Sequence, residues 1–398
     1  MIDIRKLLTV MSEYKASDLY ITVDSPPTYR VNGVVRPAGT RILSKEETEL
    51  LALGVMTEDQ QREFLSTNEM NLALFYTGLG RYRVNIFRQR GDVGMVIRKI
   101  ESDIPKIEDL GLPSILKEIS LAKRGLILVA GAAGSGKSTS LASMIDHRNA
   151  NLPGHIITIE DPIEFLHAHK KSIITQREIG IDTESYGMAL KNALRQTPDV
   201  VLIGEIRDEE SMNAAISFAE TGHLVMATIH SNNSNQVMER VMSFFPVERH
   251  KQIYLQLSLN LRAIISQRLV RTIENKRVPA VEILLNSSRI SELVYKGEIH
   301  MIKEAMEKST VVGMQTFDQH LYDLYSGGRI SYDEALRNAD SQNNLRLKIK
   351  LSEETSTGNN NPTDKKGENV IRGPVGTVVK NQSLTLAKEE DVFKVDQD

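Results

Sequence analysis

The sequence has no cysteine, so disulfides, thiolate metal sites and cysteine nucleophiles are excluded together, and a reducing, intracellular setting is expected. It also has no apolar run of membrane-spanning length. The longest apolar stretches, at residues 125–131 and at 199–203 with their flanks, suit core strands. Any work at a membrane is therefore expected to proceed from its surface or through a partner. Residues 1–10 already carry Asp3, Arg5 and Lys6 with no long apolar region behind them, so no secretory signal is expected. A surplus of one charge is missing too: 49 Lys and Arg face 52 Asp and Glu, for a formal net charge of -3. With that balance and no stripe of interleaved aromatic and basic residues, no nucleic-acid partner is expected.

What is present, 40% hydrophobic and 25% charged residues, is ordinary for a soluble globular protein. At 398 residues the chain exceeds one usual core, so two folded domains are expected. Residues 4–14 space apolar side chains at helical intervals, and 18–23 and 29–35 read as strands around Ser25-Pro26-Pro27. Ser44 followed by Glu47 opens a helix through a capping box. In residues 81–90, Tyr82, Val84 and Ile86 alternate with Arg81, Arg83 and Asn85, a strand with one charged face, and residues 95–97 lead toward another. An α+β domain is expected at residues 1–100. A linker with one short helix, interrupted by Pro105 and Gly111-Leu112-Pro113, is expected at 101–123.

From Gly125 apolar strands alternate with helices. Residues 126–130, 155–159, 200–203 and 224–228 are candidate strands, each running into a polar or glycine-containing loop where open α/β sheets hold ligands. Beyond Arg240, residues 252–267 and 291–307 have helical spacing, and helices at 315–326 and 331–338 are parted by Gly327-Gly328. The second domain is expected over 124–350. A polar, disordered tail is expected at 351–398, with enough apolar residues at 370–379 and 383–386 for a short docking segment.

The densest chemical signal is Gly131-Ala132-Ala133-Gly134-Ser135-Gly136-Lys137-Ser138, a full P-loop pattern between an apolar strand and a helical stretch opening with Thr139. Its glycines allow backbone N–H groups of Gly134, Ser135 and Gly136 to turn toward phosphate oxygens, and the helix start adds further donors. Lys137 has the reach for the terminal phosphates of ATP, and Ser138 the hydroxyl for Mg²⁺. Asp199 to Glu205 supplies a second strand ending in a carboxylate, after which Arg207 and Asp208 are candidates to pair and hold the loop. A third strand runs into Glu160-Asp161-Pro162-Ile163-Glu164. Position alone leaves Glu160, Glu164 and Glu205 open as the group that prepares water. A fourth strand ends at Thr228 and His230, either of which has the chemistry to sense a γ-phosphate.

Together these stretches resemble the secretion and type IV pilus ATPase family of RecA-like P-loop ATPases, over residues 1–345, and in particular its accessory retraction branch. The family's Asp box matches Thr158-Ile159-Glu160-Asp161-Pro162-Ile163-Glu164-Phe165. Its Walker B box matches Pro198-Asp199-Val200-Val201-Leu202-Ile203-Gly204-Glu205-Ile206-Arg207-Asp208. Its His box matches Ala219-Glu220-Thr221-Gly222-His223-Leu224-Val225-Met226-Ala227-Thr228-Ile229-His230. The resemblance implies an α/β fold, a RecA-like P-loop ATPase domain preceded by a small PAS-like α+β domain. By it Glu164 is the catalytic glutamate, Glu205 supports Mg²⁺ with Ser138, and His230 is the His-box histidine. Lys137 and Thr139 belong to the phosphate site. Arg81, Arg83 and Arg98 become candidates for phosphate contacts across the subunits of a homo-hexameric ring.

The implied partners are the main pilus retraction ATPase and the cytoplasmic face of the inner-membrane pilus platform protein, with a cytoplasmic location peripheral to that membrane. Ala132-Ala133 stands where relatives commonly have Pro-Thr. Ser287-Ser288-Arg289-Ile290-Ser291-Glu292-Leu293-Val294 replaces the Ala-Ile-Arg-Asn-Leu-Ile-Arg-Glu of the main retraction ATPase, which points to the accessory branch. Gly313-Met314-Gln315-Thr316-Phe317-Asp318 is retained. Two other functions stay open: a nucleotide-dependent adaptor for the main ATPase, and a RecA-like nucleic-acid motor.

Overall fold

The structure, a computed structural model, describes residues 3–357, with side chains described as far as Ser352. The docking segment expected at 370–379 and 383–386 lies outside the described residues. The chain opens with α1 (Ile4–Glu13), capped by the Asp3 carboxylate, which accepts from the Arg5 amide. There follow β1 (Asp18–Ile21), β2 (Thr28–Val31), β3 (Val34–Pro37), α2 (Lys45–Leu53), α3 (Glu58–Thr67), β4 (Glu69–Tyr76), β5 (Gly80–Gln89) and β6 (Asp92–Lys99). The strands form one antiparallel sheet in the order β3-β2-β1-β6-β5-β4. Alternation along β5 buries Tyr82, Val84 and Ile86 in a core shared with Leu8, Met11 and Phe64, leaving Arg81 and Arg83 on the opposite face.

Two features differ from expectation here. The single strand read at 29–35 is a hairpin, because Asn32 and Gly33 adopt φ of 51° and 81°. An Asn-Gly pair at positive φ forms the two-residue turn that matches strand twist. The α3–β4 unit was not expected. Its helix starts at a capping box between Thr57 and Gln60, and its strand covers the edge of β5.

After α4 (Ile115–Ser120) come β7 (Gly125–Ala130), α5 (Lys137–Asn151), β8 (Gly154–Glu160), β9 (Ser172–Glu178), α6 (Tyr186–Ala193), β10 (Val200–Ile203) and α7 (Glu209–Glu220). Then follow β11 (Leu224–Ile229), α8 (Ser234–Ser243), α9 (His250–Asn260), β12 (Leu261–Arg271) and β13 (Arg277–Leu285). These strands form a second sheet, β13-β12-β7-β11-β10-β8-β9, parallel except for β13. Leu128, Ile157, Val201 and Val225 pack on one face with Ile216 and Val241. Ile127, Val129, Ile156 and Met226 pack on the other with Leu116, Leu141 and Ile145. Helices cover both faces, so the central strands read as continuous apolar runs rather than alternating ones.

The helix expected at 252–267 stops at Asn260, and the chain enters β12 alongside β7. Ile264 and Ile265 are adjacent and both fully buried, which a strand between two layers permits and a one-sided helix does not. The helix expected at 291–307 is split into α10 (Ser288–Lys296) and α11 (Ile302–Glu307), because Gly297 takes φ 72° and ends the first. The last elements are α12 (Phe317–Ser326), α13 (Tyr332–Asn338) and α14 (Gln342–Thr357). Helix α14 passes the expected end of folded structure at Lys350, since Leu345 and Ile349 are each 1% exposed and join the cluster around Phe317 and Leu321. Of the tail expected at 351–398, residues 351–357 are instead helical, and residues 358–398 lie outside the described residues.

Two sets of contacts tie the stretch between the sheets to the second half. The Leu166 amide donates to the Glu101 carbonyl at 2.8 Å. Near the far end of α5, the Arg148 guanidinium donates to the carbonyls of Ser120 and Ala122 at 3.0 and 2.7 Å. No described helix is long and apolar enough to cross a membrane. Truncating Leu128, fully buried at the centre of the second sheet, removes contacts from the core beneath α7 and α8. Leu128→Ala is expected to lower unfolding free energy by about 2–5 kcal/mol, read by urea denaturation.

Candidate nucleotide site

The site begins where β7 ends. Gly134 and Gly136 hold φ of 73° and 87°, a left-handed conformation that costs glycine little. At Gly131 a Cβ would lie 2.4 Å from Ser135 Oγ and 2.5 Å from the Gln267 carbonyl oxygen, so the turn is packed too closely for any side chain. Helix α5 starts at Lys137 and aims its first unpaired N–H groups back at this loop. Lys137 Nζ donates to the carbonyls of Gly131 and Ala132 at 2.8 and 3.0 Å, holding its ammonium within the turn. Burial lowers the Lys137 pKa, while Glu205 and Glu164 pull the other way. Ser135 Oγ is buried with no hydrogen-bond partner. Inward amides, an enclosed ammonium and an orphan hydroxyl together suit a polyphosphate.

The adjoining strand ends complete a cleft of about 560 Å³. Ser138, Thr139, Glu164, Glu205, Thr228 and His230 all line it. Glu160 accepts from the Thr158 hydroxyl at 2.7 Å and sits 3.4 Å from the Gln176 amide. Although the residue keeps some exposed area in the cleft, its carboxyl lies within the protein body, and burial pushes it up to about 7. Glu164, beyond Pro162, faces the cleft without those ties to Thr158 and Gln176.

Glu205 is engaged through both oxygens. Arg207 Nε and Nη2 approach Oε2 at 2.7 and 2.6 Å, and His230 Nε2 lies 3.0 Å from Oε1. Residues read from two separate motifs thus touch. The Arg207–Asp208 pairing considered from sequence is corrected: Asp208 instead caps α7, accepting from the Ser211 amide at 2.8 Å. Those Ser211 hydrogen bonds hold the Asp208 carboxyl below its usual range. The Thr228 hydroxyl is committed to the Gly204 carbonyl. A Cβ on Gly204 would meet the Tyr186 hydroxyl at 2.9 Å and Glu160 Cα at 3.1 Å, which explains a glycine just before Glu205.

Arg81 and Arg83 on β5 and Arg98 on β6 do not line the cleft of their own chain. Arg98 Nε donates to Asp18 at 2.7 Å. Arg81 lies 4.0 Å from Glu178 and 3.9 Å from Asp182, on and just beyond β9. Burial raises the Glu178 carboxyl, and Arg81 and Arg83 oppose it. Gln176 and Gln267 escaped the sequence reading, since no motif marks them and Gln267 falls in a stretch with helical spacing. Among the described residues no group of three or more His, Asp or Glu forms a metal cluster. The hydroxyl of Ser138 and carboxylate of Glu205 are hard oxygens of the kind Mg²⁺ accepts beside phosphate oxygens.

The family model for type II/IV secretion system proteins matches residues 2–342. The chain belongs to that family. It is 53% identical over 354 residues to the type IV pilus ATPase PilU of Pseudomonas aeruginosa, covering 89% of this chain and 93% of PilU. The type IV pilus retraction ATPase PilT of the same organism is 38% identical over 343 residues, covering 86% of this chain and 100% of PilT. The crystal structure of the pilus retraction motor PilT with bound ADP superimposes with a TM-score of 0.82 at 38% identity, over 87% of this chain and 100% of that one. The fold is accordingly that of a RecA-like P-loop ATPase with an amino-terminal α+β subdomain.

The Glu160 carboxyl gives a pH signature opposite to that of a salt-bridged carboxylate. Its folded value of about 7 exceeds its ordinary 4.5, so between those values the folded chain holds a proton that the unfolded chain has released. Its contribution to stability is full below pH 4.5 and is lost as pH rises to about 7. Glu160→Gln, always neutral, should match wild type in melting temperature at the acid end and gain on it toward pH 7. Parallel pH profiles of thermal unfolding check this.

Proposed function

We propose that this chain is an ATP hydrolase that works as a homo-hexamer and drives type IV pilus retraction beside a main retraction ATPase. The observation that carries the reading is the single cleft in which Lys137, Glu164, Glu205 and His230 meet under the glycine loop. PilT, the relative named for pilus retraction, suggests the output, and the near-neutral charge disfavours the nucleic-acid motor. In this reading residues 1–100 are a PAS-like α+β domain, 101–123 the hinge and 124–350 the motor. The protein is cytoplasmic and reaches the inner membrane through the pilus platform protein.

Backbone amides of Gly134, Ser135, Gly136, Lys137, Ser138 and Thr139 bind the phosphates of ATP. Lys137 exchanges the carbonyls of Gly131 and Ala132 for phosphate oxygens and neutralises charge that grows in the transition state. Glu164 orients the attacking water and accepts its proton; the tie of Glu160 to Thr158 leaves Glu164 the more available carboxylate. Ser138, with support from Glu205, would hold Mg²⁺, which would supply neutralisation of phosphate charge. His230, in contact with Glu205, registers departure of the γ-phosphate. Arg81, Arg83 and Arg98 serve a nucleotide bound by the neighbouring subunit.

One observation favours a second reading, an adaptor with little turnover of its own: both Glu205 oxygens are already taken by Arg207 and His230. The two readings part on one variant. Glu164→Gln should still bind ATP but lose turnover by about 100-fold or more. Pilus retraction beside the main ATPase should then fail for a motor and persist for an adaptor. Lys137→Ala should lower ATP turnover by about 100-fold or more while leaving the circular dichroism spectrum unchanged. Turnover at the wild-type rate in folded Lys137→Ala protein would remove the proposed site. Solution mass with ATP should correspond to six chains, and an ATP-bound monomer would overturn the ring.

A further inference from the structure

Gln267 lies on β12 and is 3% exposed. Its Nε2 donates to the Ser135 carbonyl at 2.8 Å, and its Oε1 accepts from the Ser140 hydroxyl at 2.7 Å. A carbonyl can only accept, so the nitrogen end must face the phosphate loop and the oxygen end must face α5. One amide thus clamps the loop to the first turn of its own helix from the neighbouring strand.

The clamp has a directional effect. In a planar trans peptide the C=O of one residue and the N–H of the next point to opposite sides. Drawing the Ser135 carbonyl toward β12 turns the Gly136 N–H away from β12, to the concave side of the loop. A second observation is independent of the hydrogen bonds. A Cβ on Gly131 would meet the Gln267 carbonyl oxygen at 2.5 Å, and one on Gly136 would meet Gln267 Nε2 at 2.8 Å. The same residue is the near wall behind both glycines.

We infer that Gln267 is a positioning residue that presets the Gly136 amide for phosphate, so that it governs nucleotide affinity rather than the chemical step. The inference rests on the proposed reading of the loop as an ATP site. A carboxylate at this position lacks the donor, repels the Ser135 carbonyl and adds negative charge behind the phosphates. A leucine removes both hydrogen bonds at similar size.

The test uses the full chain with Mg²⁺ and a fluorescent ADP analogue, scored by dissociation constant, with melting temperature measured without nucleotide. Gln267→Leu should weaken binding about tenfold and Gln267→Glu more, with kcat at saturating ATP within about threefold of wild type. Ser140→Ala, a milder change, should weaken binding about threefold alone and add almost nothing to Gln267→Leu, because the two act through one clamp. A purely structural Gln267 would lower the melting temperature and leave affinity in the folded protein unchanged, which overturns the inference. Additive effects of Ser140→Ala and Gln267→Leu overturn it as well. If both Gln267 variants fail to fold, Ser140→Ala decides: unaltered affinity rejects the clamp, and weakened affinity at an unchanged melting temperature supports it. Wild-type protein that does not bind the analogue would instead reject the nucleotide site itself.

Discussion

The strand that leads into the phosphate loop has a neighbour on each side, and the site depends on that confinement. β7 lies between β11 and β12, with all six of its residues buried. A chain leaving such a strand has room to turn only with bare backbone, and β12 stands where a side chain at Gly131 would go. The parallel register extends the constraint across the sheet. Leu128 pairs with Ala227, Ala227 with Ile203, and Ile203 with Ile159. Strands aligned in this way finish at one edge, so residues from four motifs spread along the chain from Lys137 to His230 converge there.

Within that edge, three glutamates read from sequence as equivalent candidates have different surroundings. Glu160 is drawn into the protein body and shares Thr158 and Gln176. Glu205 is held between two nitrogen-bearing side chains. Glu164 faces open cleft. Burial favours a proton on the first, and neighbouring donors satisfy the second. The asymmetry arises from the loops rather than from the type of side chain.

Much of the frame was legible because its signals are local. The phosphate loop needs glycines at particular backbone angles, and the strands at β7, β8, β10 and β11 are short apolar runs bounded by polar loops. The Ser44–Glu47 capping box likewise spans only one helical turn. What was missed depends on distant partners. Helical spacing carries on through residues 252–267, yet β7 recruits the second half of that stretch as β12. The contact between Glu205 and His230 has no sequence signature, since it exists only once β10 and β11 lie side by side. α14 was not read as a helix, because its buried face amounts to little more than Leu345 and Ile349 in a polar stretch. The hairpin at Asn32-Gly33 is different: its signal was local and was read through as continuous strand.

The Arg148 contact with the Ser120 and Ala122 carbonyls gives α5 a mechanical meaning. A helix of 15 residues is a rod of roughly 22 Å, with the phosphates' cradle at one end and Arg148 near the other. Tilting such a rod by about 5° about its cradle end displaces the opposite end by roughly 2 Å, enough to strain or release a hydrogen bond. The stretch that joins the two sheets is thus tethered to the tip of a lever whose fulcrum is the glycine-loop edge of the second sheet.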